Sequence, residues 1–132
     1  MNTTIGRAGL AFLVILAVIV AGVFYLGGAA EKPKTVTGEV VDLHCYMHSG
    51  LKGPGHEACA ISCAKGGEPI GLLQNKTNKV YLLLAPEHPT PGGQNPAVKL
   101  LVPYMAKQVT IKGERFTRGG LNAIVVSKIS KA

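Results

Sequence analysis

The chain has 132 residues, 47% of them hydrophobic and 16% charged, with 17 Gly, 8 Pro and a formal net charge of +7. That length holds one ordinary domain with appendages, and the modest charge beside ordinary apolar content excludes a disordered chain or a coiled coil. With no Trp, four Tyr and three Phe, the sequence is poor in the aromatic side chains that stack bases or sugar rings.

The first element is apolar. Ala8 to Gly28 is a run of 21 residues without a charge, and about 20 such residues span a bilayer core. A cleaved signal peptide is the rival reading, with Gly28-Ala29-Ala30 as a small-residue cleavage site, but its apolar region is usually about 7–15 residues. The expectation is therefore a tail over 1–7, a transmembrane anchor over 8–28, a linker over 29–35 and a domain over 36–132. Arg7 before the span and Lys32 and Lys34 after it leave the positive-inside count undecided. The short tail and the cysteines behind it point to a signal-anchor in the inner membrane with the domain in the periplasm. If the segment is cleaved, the protein is periplasmic or secreted. The absence of Cys near residue 30 speaks against a lipid anchor.

Residues 31–132 carry 13 Lys and Arg against 7 Asp and Glu. These charges are scattered rather than gathered into a stripe, so no nucleic-acid partner is expected.

Strand signals follow the linker. Thr35 to Cys45 is rich in Val and Thr, with Gly38 marking a bulge or barrel bend. A Gly-rich loop over 46–68 contains one short helix, His56 to Lys65, closed by Gly66. Pro69–Leu73 and Lys79–Leu84 read as a hairpin turning at Asn75–Asn78. Asn95 caps a helix opened by Pro96 and ended near Val102 by Pro103, with Val98, Leu100, Leu101 and Met105 inward. Gln108–Gly113 and Leu121–Ile129 are the last two strands, joined through Arg118-Gly119-Gly120. The expected fold is mainly β, a five-stranded barrel of the oligonucleotide/oligosaccharide-binding (OB) type in the order β-β-β-α-β-β, with a Cys/His loop-helix insert. An α+β sandwich of the same elements is the alternative.

The chemistry is concentrated in one segment. His44, Cys45, His48, His56, Cys59 and Cys63 include every cysteine and all histidines but His88. On a helix Cys59 and Cys63 stand at i and i+4, with Cβ atoms about 5–6 Å apart, whereas a disulfide needs about 3.8 Å. Cys45, His48, His56, Cys59 and Cys63 are the expected metal ligands, a soft set suited to copper or zinc. Asp42 and His44 are placed just outside them, the Asp42 carboxylate orienting His44 or His48. The competing reading is a staple, Cys45 bonded to Cys59 or Cys63, closing a loop of some 13 to 17 residues worth about 3 kcal/mol. Met47 reads as a core side chain. No Cys-x-x-Cys-His is present, so c-type haem attachment is not expected.

The pattern Gly38-Glu39-Val40-Val41-Asp42-x-x-Cys45, His56-x-x-Cys59-Ala60-x-x-Cys63 and Gly67-x-Pro69-Ile70-Gly71-Leu72-Leu73 resembles a group of small membrane-anchored or exported bacterial OB-like proteins. The resemblance implies export and a Cys/His centre. Together these readings make the chain a non-enzymatic metal-binding module, working with a membrane protein complex or a metal-delivery partner. A thiol–disulfide carrier and a stapled assembly protein are the alternatives.

Overall fold

The computed structural model describes residues 34–132. The expected tail and anchor, and the linker as far as residue 33, lie outside these. Among the described residues no helix is long and apolar enough to cross a membrane.

Strand β1, Lys34–Asp42, starts within the stretch expected to be linker. Val36, Gly38 and Val40 turn inward while Thr35 and Thr37 face solvent, the period-2 alternation of a half-buried strand. The strand pairs twice. Residues 34–39 run antiparallel to β4 (Gln108–Arg118), and residues 38–42 run antiparallel to β2 (Ile70–Gln74). Gly38 belongs to both ladders, and a Cβ there would run into the Leu73 carbonyl. The strand can bend between two partners because this residue has no side chain.

Strand β3, Val80–Leu84, pairs antiparallel with β2, and Lys76 and Asn78 in the turn adopt positive φ. It then pairs parallel with β5, Leu121–Lys131. The sheet closes as a barrel in the order β1-β2-β3-β5-β4. Three strands, a helix and two strands follow one another as the sequence indicated, but β4 runs on to Arg118 rather than stopping at Gly113. The β4–β5 ladder shifts register between Lys112 and Gly113, and this bulge resembles a strand end in the sequence. Beyond it the hairpin turns at Gly119 and Gly120, both at positive φ, as a tight turn matched to strand twist requires.

The insert also differs from expectation. β1 ends at Asp42, not Cys45, because the Asp42 carboxylate accepts the His44 backbone N–H at 2.9 Å and caps a helix. That helix, α1 (Leu43–Ser49), closes on Gly50 in the left-handed conformation. A single 3-10 turn, Pro54–His56, leads into α2 (Glu57–Lys65). Ala60 and Ala64 are the buried residues of α2 and pack into the core cluster. Their small side chains let the helix lie close against the barrel.

Helix α3, Pro96–Leu101, is capped by the Asn95 side chain and passes at Pro103 into a 3-10 turn. It buries Ala97, Val98 and Leu101. The chain beyond it is pinned to β1 by Ala106 N–H to Val40 O and Val40 N–H to Lys107 O. Leu72, Leu83, Leu101, Met105, Ile111 and Ile124 fill the core. Met47 is not among them; it is 70% exposed.

Candidate metal centre

Three elements deliver the chemistry. Asp42 ends β1, Cys45 lies on α1, and Cys59 and Cys63 lie on α2, with His56 at the N-terminal junction of α2. Because Asp42 caps α1, the residue three positions later returns beside it, placing Cys45 next to the carboxylate. On α2, Cys59 and Cys63 each precede one of the two buried alanines. They therefore sit on the flank of the seated face rather than under it, Cys59 exposed and Cys63 half-buried where α1 meets α2.

The ligand atoms of Cys45, Cys59 and Cys63 all lie within 4.8 Å of one another. Cys45 Sγ and Cys63 Sγ are 4.0 Å apart, and all three thiols are free. Sulfurs bound to one ion at about 2.3 Å stand roughly 3.8–4.0 Å from each other, a spacing that the Cys45–Cys63 pair would fit as it stands. A disulfide needs about 2.05 Å.

A second group shares Cys45. The ligand atoms of Asp42, Cys45 and His56 also lie within 4.8 Å of one another. Asp42 is only 1% exposed and is the charged side chain buried among the described residues. Its Oδ1 holds the His44 N–H, while its Oδ2 and His56 Nε2 are buried without a hydrogen-bond partner.

The electrostatics follow from the crowding of acidic groups. The Asp42 carboxylate beside Cys45 favours the protonated thiol, and with burial and the nearby Cys63 it holds Cys45 at about 12, well above the ordinary 9.0. Oδ2 nonetheless forms no hydrogen bond of ordinary length. Burial, and then Asp42, push the Cys63 thiol up as well, partly offset by its interaction with Cys45. Bare thiols in such a place keep their protons; a bound cation displaces them.

The structure thus brings together Cys45, Cys59 and Cys63, and joins His56 to Cys45. It places the other two histidines elsewhere. His44 is exposed and pairs with Glu68 at 3.5 Å, and His48 is exposed and bonded to Ser49 Oγ at 2.8 Å. The two rings stack on each other with centroids 6.1 Å apart. Asp42 holds the His44 backbone rather than either ring, and its carboxylate comes within 4.8 Å of Cys45 Sγ. The sequence indicated a carboxylate near the ligands but not this contact. The available signal was the spacing Asp42-x-x-Cys45, which a helix cap folds into a contact. Lys107 bonds Glu57 at 3.0 Å and ties the start of α2 to the bend just before β4.

Comparisons of the chain with family models, curated proteins and solved structures found no match, so the functional reading rests on this geometry.

Proposed function

We propose that the domain is a metal-binding module in which Cys45, Cys59 and Cys63 hold one soft ion, copper or zinc. The observation that carries this reading is the convergence of three sulfurs from two helices within 4.8 Å. Thiolate ligands select such ions over magnesium or calcium. The strand order and the helix between β3 and β4 support an OB-type barrel as the scaffold. The apolar run over 8–28 supports an inner-membrane anchor with the domain in the periplasm. There the module would hand metal to a partner or serve a membrane redox complex as an accessory subunit or assembly factor.

Elemental analysis of the full chain, purified in detergent under reducing conditions, tests the proposal. The native protein carries stoichiometric copper or zinc, and the Cys45→Ser/Cys59→Ser/Cys63→Ser triple variant carries none. Metal retained by a folded triple variant overturns it.

The 4.0 Å approach of Cys45 to Cys63 also favours a second reading, a thiol–disulfide carrier. The raised thiols of Cys45 and Cys63 count against it, because the thiolate is the attacking species. Counting free thiols after aerobic purification separates the two: three for the metal module, one for a carrier isolated in its oxidised form.

A further inference from the structure

Among the described residues, the two buried side-chain polar atoms without a partner are Asp42 Oδ2 and His56 Nε2. An orphaned polar atom is costly in a protein interior, and most find a partner. Both orphans belong to residues of one group of three, in which a carboxylate oxygen of Asp42, a ring nitrogen of His56 and Cys45 Sγ lie within 4.8 Å of one another. One is a carboxylate oxygen whose sister atom is already committed to the α1 cap. The other is an imidazole nitrogen whose backbone is fixed by a 2.9 Å bond from its N–H to the Gly53 carbonyl. A bridging water could serve the two oxygen and nitrogen atoms; a cation serves both and engages the Cys45 sulfur as well.

We infer that the centre has two cation positions joined through Cys45: an all-sulfur position of Cys45, Cys59 and Cys63, and a mixed position of Cys45, Asp42 and His56. This rests on the metal-binding reading above and assigns the site's remaining ligands. The two groups share Cys45 alone, and a thiolate sulfur has enough lone pairs to bridge two cations. Their chemistry differs. Three thiolates suit a soft univalent ion, copper(I) or its analogue silver(I), whereas one sulfur, one nitrogen and one oxygen suit a borderline divalent ion such as zinc. Asp42 is therefore a ligand of the second position and a cap of α1 at once, using one oxygen for each.

The test is a metal titration of the reduced, metal-free full chain in detergent, with silver(I) and zinc(II) as probes, read by elemental analysis after gel filtration. One silver and one zinc are bound together per chain. Asp42→Asn, which keeps an N-cap, and His56→Gln each lose the zinc and retain the silver. X-ray absorption at the zinc edge of the loaded native chain shows one sulfur neighbour beside nitrogen and oxygen, a readout that needs no variant. If silver and zinc exclude each other at a total of one ion per chain, or zinc shows three sulfur neighbours, the two-position centre is wrong while the single-metal module stands. If neither ion binds, both fall.

Discussion

Cys45 Sγ on α1 and Cys63 Sγ on α2 face each other at 4.0 Å across 18 residues of sequence. Nothing covalent holds them there. The Asp42 cap sets the start of α1, and Ala60 and Ala64 set the depth of α2, so the sulfur spacing is inherited from the barrel. The three sulfurs are thus gathered by packing alone.

The three thiols will react unequally when no metal is present. Cys59 is exposed, while Cys45 and Cys63 are half-buried and held protonated above the ordinary range. Alkylation with iodoacetamide at pH 8 labels Cys59 first, and Cys45 lags because little of it is thiolate. Loading with metal protects all three. Mass spectrometry of the time course checks the order, and equal labelling of Cys45 and Cys59 would contradict it.

Stability of the metal-free chain depends on pH through Cys45. Its thiol sits at about 12 in the folded protein against 9.0 ordinarily. The unfolded chain therefore gives up this proton first as pH rises. The contribution is complete below about pH 9 and is lost progressively as pH climbs toward 12. Denaturant midpoints measured across that window fall for the native chain. The fall is smaller for Cys45→Ala, which has no thiol to titrate.

Asp42 has two jobs that different substitutions separate. Asp42→Ala removes the cap of α1 and costs about 0.5–2 kcal/mol. Asp42→Asn keeps a capping oxygen but removes the negative charge beside Cys45. In that variant the Cys45 thiol returns toward the ordinary range and its alkylation at pH 8 accelerates. If Asp42→Asn leaves the alkylation rate of Cys45 unchanged, the carboxylate is not what holds the proton.

The barrel was more legible in the sequence than its insert. Val36 and Val40 alternating with Thr35 and Thr37, Asn95-Pro96 opening a helix, and Gly119-Gly120 turning a hairpin are local signals, and each element formed where its signal stood. α1 was hidden because Val40 and Val41 carry strand character up to Asp42, and only the cap at Asp42 ends it. Which histidines join the site depends on where α1 and α2 meet, a tertiary fact. His44 and His48 lie on the solvent side of a helix with no buried residue, and neither has a sequence neighbour that reveals this. His56 joins because the turn at Pro54 aims it back toward Cys45. The strand beyond Gly113 was missed for a different reason: the bulge there breaks the alternation that marks the rest of β4.

Seating of α2 is the last link that can be broken on its own. Ala64 is fully buried against the barrel, whereas Ser62 on the same helix is exposed. Ala64→Leu forces three extra carbons into a packed contact, costing about 1–3 kcal/mol, and lifts the helix that carries Cys59 and Cys63. Metal affinity then weakens although every ligand remains. Ser62→Leu adds a larger apolar side chain to the same helix without touching the seat, and leaves both stability and affinity near native. Denaturation midpoints and metal competition titrations on the two variants check this. An Ala64→Leu protein that binds metal as tightly as the native chain would show that the sulfurs find one another without the barrel's help.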